Sequence, residues 1–111
     1  MNASDYDLTL EELSEASVGR LLAVQVFDLS AFRTLKEYLS AKSERIKSEH
    51  VVSKQVVNVL LSAARAIEDS AAHNSGAREN LWLAQEFLLM LDLIAIGEAP
   101  GDRQPGKPRI L

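Results

Sequence analysis

Few side chains in this sequence could do chemistry. There are two histidines, His50 and His73, and no cysteine. The missing thiols remove disulfides, thiol nucleophiles and thiolate metal sites in one step. A zinc site wants three or four ligands at helical or loop spacing. Asp69 and His73 are one turn apart, but nothing else converges on them, and the helix dipole alone favours a histidine near a helix C-terminus. His50 is followed by Val51, Val52, Ser53 and Lys54, and His73 by Asn74, Ser75 and Gly76. Neither run matches the H-x-L-K-G pattern of helical phosphotransfer domains. The adjacent carboxylates Glu11 and Glu12, and Glu68 and Asp69, read as solvated helix ends. The serines fall at caps and exposed faces with no base beside them, and there is no Gly-rich phosphate loop. The expectation is a protein that is not an enzyme, with no catalytic residue, no metal and no cofactor.

Charge narrows the partners. The chain of 111 residues carries a net charge of −4, whereas a dedicated nucleic-acid binder shows a basic footprint. The strip Arg33 to Lys54 is locally basic, with Arg33, Lys36, Lys42, Arg45, Lys47 and Lys54 against Glu37, Glu44 and Glu49. It could dock an acidic partner or DNA. The interleaved glutamates favour a solvated face instead. Gln55 and Asn58 are the side chains available to read base edges, but their helix is committed to the core. The N-terminus is acidic and lacks the basic and apolar regions of a secretory signal. The most apolar run, residues 81–96, is too short to span a bilayer and holds Glu86 and Asp92. These features predict a cytoplasmic protein with no membrane or direct nucleic-acid partner.

The elements that must position any site are helical. Residues 1–9 read as a polar lead-in, 10–96 as one helical domain and 97–111 as a flexible tail rich in proline and glycine. Thr9 and Glu12 form a capping box, so a first helix should start at Leu10 with Leu10, Leu13, Leu21 and Val24 on one side. Gly19 weakens it, and Leu21–Phe27 alternates like a short strand. Asp28 or Ser30 can cap a second helix with a narrow seam of Phe32, Leu35, Leu39 and Ile46, with Lys42 in the gap. Beyond Ser40 that helix either ends or runs on exposed. A third helix puts Val52, Val56, Leu60, Ala63 and Ile67 on one face. Asn74, Ser75 and Gly76 suggest a left-handed cap at its end, and the short connection predicts an antiparallel hairpin with a fourth helix, Ala77 to Ile96. The fold class is all-α: a small bundle of three to four helices with a C-terminal α-hairpin. A domain of this size buries only about two-thirds of its unfolded surface, so homodimerisation would help complete it.

The fourth helix carries the functional expectation. Leu83, Phe87, Met90, Leu91 and Ile94 form a broad core face. Trp82, Leu89, Leu93 and Ile96 form a second apolar stripe among Arg78, Glu79, Gln85, Glu86 and Asp92. A helix apolar on nearly all sides must be covered on all sides. Leaving a tryptophan and two leucines in water forgoes several kcal/mol at ~25 cal/mol per Å². The stripe is therefore expected to meet another chain, most simply a second copy. Alternatively the first helix wraps over it and the monomer has a central helix. Phe32, Leu35 and Leu39 either pack within the bundle or present a second contact seam.

The layout of residues 10–96, with the hairpin of 56–71, Ser75-Gly76-Ala77-Arg78 and 81–96, resembles small helical proteins of pseudomonads and the LasR-directed quorum-sensing antiactivators. The resemblance rests on length, helix layout and texture. It implies a homodimeric helical protein that binds the ligand-binding domain of a LuxR-type transcription regulator, competes with the regulator's own dimerisation and blocks DNA binding without catalysis. Two alternatives stay open: a small DNA-associated regulator using Arg33–Lys54, and a bundle that holds a small apolar ligand between helices.

Overall fold

Helix formation begins two residues earlier than the capping box suggests. In a computed structural model of the protein, which describes residues 6–102, Asp7 caps helix α1 (Leu8–Ser14) by accepting from the Leu10 N–H at 3.0 Å. Thr9 lies inside the helix. A carboxylate two residues upstream has captured the free amides of the first turn before Thr9 can, as acidic caps do. The helix then widens into one π-turn, Glu15–Gly19, and continues as α2 (Arg20–Val24). Ser17 Oγ donates back to the Leu13 carbonyl at 2.8 Å. This local bond and the weak helix-forming tendency of Gly19 fall where the turn widens. Leu10, Val18 and Leu21 are buried, while Val24, expected on the same side, is exposed. The strand-like alternation of 21–27 is not realised. It ends at Gln25, which caps α2 in the left-handed region (φ 58°, ψ 32°).

Asp28 caps α3 (Leu29–Ile46) through a bond from the Ala31 N–H, as its position predicts. Phe32, Leu35 and Leu39 are buried on one line of α3. Phe32 stacks on Phe27 at 4.9 Å and meets Phe87 at 6.5 Å. The polar half of α3 does not run out into solvent, because Lys42, Ser43 and Ile46 are all buried. Residues 47–53 turn the chain, and Ser53 caps α4 (Lys54–Ser70). Val56, Leu60, Ala63 and Ile67 occupy the expected core face.

The hairpin connection differs in detail from a left-handed cap. Asn74 is extended and caps a short α5 (Ser75–Glu79), donating as well to the Gln25 carbonyl at 2.8 Å. Gly76 lies within α5, where a Cβ would come 3.1 Å from the Phe27 Cβ, so close packing sets its identity. Asn80 breaks the expected single helix, its amide folding back onto the Gly76 carbonyl, and α6 runs from Leu81–Ala95. α4 and α6 form the most extensive helix pair in the molecule. α6 ends in a Schellman motif: Gly97 at φ 79° donates to the Ile94 carbonyl and Glu98 to that of Leu93.

Residues beyond Gly97 belong to the fold as far as they are described. Ala99 is fully buried, Pro100–Asp102 makes a 3₁₀ turn, and Asp102 pairs with Lys47 at 3.0 Å. Residues 103–111 of the expected tail and 1–5 of the lead-in lie outside the described residues. The architecture is all-helical, with no strand among the described residues.

The deepest polar feature is the Asp7–Lys42 ion pair at 2.8 Å, both side chains 7% exposed. Tyr38 donates to the same carboxylate oxygen at 2.6 Å. Gln55 closes the site from α4: it accepts from the Asp7 N–H and donates to the Asp7 carbonyl, each at 2.8 Å. Burial by itself pushes the Asp7 carboxyl up, but the bonds from Lys42, Tyr38 and the Leu10 N–H outweigh it and bring it to about 2. A depressed carboxyl contributes stability above its ordinary value of 3.8 and loses it as pH falls towards 2. Acid titration of folding across that window should therefore cost about 2 kcal/mol at this group, and Asp7→Asn should flatten that part of the profile. Asp7→Ala, which strands a buried ammonium, should cost about 3 kcal/mol or more, and Asp7→Ala/Lys42→Met should recover much of the loss. Gln25→Gly should raise stability by about 0.5–1 kcal/mol by relieving the left-handed cap, read as a higher denaturation midpoint.

Candidate interaction surface

Among the described residues no group of three histidine, cysteine, aspartate or glutamate side chains could hold a metal ion. His73 Nε2 meets Gln25 Oε1 at 3.0 Å on the surface, beside the Asn74 cap. Two cations of the basic strip are engaged within the fold. Lys42 is buried against Asp7, and Lys47 is held by Glu44 and Asp102. Those two carboxylates hold the Lys47 ammonium above its usual range, Asp102 more than Glu44. Gln55, a candidate for reading bases, has its amide bonded to Asp7.

The predicted interface residues separate into two groups. Trp82, Leu89 and Ile96 are 45%, 47% and 55% exposed. Leu93 is not part of that surface. It is 2% exposed and, with Pro100, lines the groove beside the ridge. Phe32, Leu35 and Leu39 are also removed from any contact seam, since all three are inside the bundle. The first helix packs against α3 and leaves the α6 stripe open.

What remains is a ridge with a groove beside it. Trp82, Leu89 and Ile96 recur every seven residues, so they drift only about 20° per step and form one line along α6. Glu86 stands on the side toward α3, and Gln85 and Asp92 on the other. Between α6 and α3 runs an open groove in two adjoining parts. One is bounded by Arg33, Lys36, Glu37, Ser40 and Trp82, and the other by Lys36, Ser40, Glu86, Leu89, Met90, Leu93 and Pro100. Lys36 is common to both, its ammonium 5.6 Å from the centre of the Trp82 ring. That contact and the Trp82 indole N–H donating to Asn80 Oδ1 at 3.2 Å hold the ring in place while leaving almost half of it bare. The α3 wall thus carries Arg33, Lys36 and Glu37, and the α6 ridge is flanked by Glu86 and Asp92.

No family model, curated protein or solved structure matches this chain. No helix among the described residues is long and apolar enough to cross a membrane.

The two leucines of the original stripe should now behave differently. Leu93→Ala should cost about 2–5 kcal/mol of folding stability, as a buried leucine does. Leu89→Asp should leave the far-ultraviolet helical signal unchanged. Loss of helicity in Leu89→Asp would place Leu89 in the monomer core and remove the ridge from consideration.

Proposed function

We propose that the protein is a non-catalytic, cytoplasmic protein-binding module that pairs with a second copy of itself along α6. The carrying observation is the exposed line of Trp82, Leu89 and Ile96 next to the α3–α6 groove. Contiguous apolar surface of this kind on a small domain usually marks a contact with another chain. A tryptophan at its end is the residue type most enriched among interface anchors. A second copy suits the charges: its ridge, flanked by Glu86 and Asp92, meets a groove wall carrying Arg33 and Lys36. Two-fold pairing makes one such patch serve both chains.

The resemblance to quorum-sensing antiactivators gives the module its purpose in this reading. The dimer captures the ligand-binding domain of a LuxR-type regulator and keeps that regulator from pairing and binding DNA. The DNA-associated alternative loses ground because Lys42, Lys47 and Gln55 are engaged within the fold.

Two measurements test the two levels separately. Light scattering after gel filtration should give a mass near twice the 12.2 kDa of the chain, falling to the monomer value in Leu89→Asp. A monomeric parent protein would overturn the pairing. Mixing with a purified full-length LuxR-type regulator should yield a stoichiometric complex in which the regulator no longer dimerises. A regulator that stays dimeric and bound to its DNA site in excess of this protein would overturn the sequestration.

A further inference from the structure

The α6 ridge is symmetric in spacing and asymmetric in charge. Leu89 is its midpoint, with Trp82 and Ile96 equally far before and after it. Around Trp82 the groove is bordered by Arg33 and Lys36, with Glu37 beside them. Further along, its walls include the apolar Leu93 and Pro100. Gln85 and Asp92, both exposed, lie about 60° from the ridge line on the side away from α3. The half-buried Glu86 lies about 40° from it on the side toward α3.

A two-fold axis can pair two such ridges in two directions. An axis along the helices makes them parallel. Every level then meets its own copy, and the outer flank of one ridge faces the groove flank of the other. Arg33 and Lys36 of both chains gather at one end. Asp92 is brought against the partner's Leu93 and Pro100, where a carboxylate is poorly hydrated.

An axis across the helices makes them antiparallel and sets like flank against like flank. A residue a given number of places before Leu89 then stands level with the residue that many places after it. The basic Trp82 end of one chain lies over the end of the other that carries Asp92 and Ile96. On the outer flank, Gln85 and the partner's Asp92 differ in height by a single residue, ~1.5 Å. A side-chain amide and a carboxylate so placed form a charge-assisted hydrogen bond, and the two-fold forms it twice. On the groove flank the two Glu86 carboxylates stay ~9 Å apart in height, each sharing its groove with Lys36 of its own chain.

We propose that two copies pair antiparallel along α6, with Leu89 on the two-fold axis. Trp82 of each chain packs against the partner's Ile96, and Gln85 donates to the partner's Asp92. This rests on the pairing proposed above and adds its direction and register. Each Trp82 site is then completed by an isoleucine from the other chain, and both α3 helices stand on the same side of the pair.

The chain has no cysteine, so introduced thiols report position without background. A disulfide forms only where two Cα atoms come within about 7 Å. Gln85→Cys and Asp92→Cys, mixed and mildly oxidised, should give a linked heterodimer in yield several-fold above either self-link. In the antiparallel register the self-links would have to span ~12 Å and ~9 Å in height alone. Leu89→Cys, on the axis, should link to its own copy. All three positions are exposed, so the helical signal should be unchanged. Self-linking of Gln85→Cys or Asp92→Cys at or above the mixed yield would overturn the antiparallel register. So would the absence of a mixed link in a sample that light scattering shows to be dimeric. A parent chain of monomer mass would instead remove the pairing itself, and the register with it.

Discussion

Asp7 and Lys42 hold the small domain together at a point where two charges would otherwise be unaffordable. Removing a carboxylate and an ammonium from water costs several kcal/mol each. The site offsets this by giving both Asp7 oxygens donors, from Lys42 and Tyr38 on one and the Leu10 amide on the other. Gln55 takes up the backbone N–H and carbonyl of the same residue. Two helices, α3 and α4, and the N-terminal entry to α1 therefore meet at one residue. The consequences run outward. α3 must continue past Ser40 to bring Lys42 under α1, which fixes its length. α1 must lie across α3, which keeps it off α6. The uncovered ridge on α6 follows from where this pair places the first helix.

That pair is also where sequence reading loses its grip. Lys42 occupies a gap in an otherwise apolar seam, and a gap reads as solvent unless a partner is known. Asp7 stands in an acidic stretch with Asp5, Glu11, Glu12 and Glu15, and nothing in residue type separates the buried carboxylate from the others. The α4–α6 hairpin is different. Its apolar positions repeat with the helical period over several turns, so Val56, Leu60, Ala63 and Ile67, and Leu83, Phe87 and Ile94, were each placed by phase alone. The caps show both cases. Asp28 and Gly97 act where the sequence puts them, while Thr9 loses to Asp7 and Asn74 caps the following helix rather than ending the previous one.

The α6 stripe shows how far phase can go toward a surface. A helical wheel finds that Trp82, Leu89, Leu93 and Ile96 lie apart from the core face. It cannot find that one of the four, Leu93, is buried. Leu93 stands about 40° from Leu89 on the wheel, toward α3, and that offset is enough to place it in the groove rather than on the ridge. The same limit applies to Phe32, Leu35 and Leu39. Their three-and-four spacing is equally suited to a coiled-coil seam and to a core, and only the presence of Phe87 opposite Phe32 decides between them.

A domain with this little interior has few ways to keep a tryptophan at its surface. The core is already closed around Phe32 and Phe87, so Trp82 cannot turn inward without displacing α3. It is instead fixed from both ends, by Lys36 above the ring and Asn80 at its N–H. A ring so constrained loses little further freedom when something packs on it, and pre-ordering of this kind is what lets a small apolar patch bind with useful strength. The charged residues on either side do the complementary task. Glu86 and Asp92 keep the ridge hydrated and apart from neutral apolar surfaces, and they favour a contact that brings basic groups, as the α3 wall does. Affinity in such a site comes from the ring and the two aliphatic side chains, and selectivity comes from the charges around them.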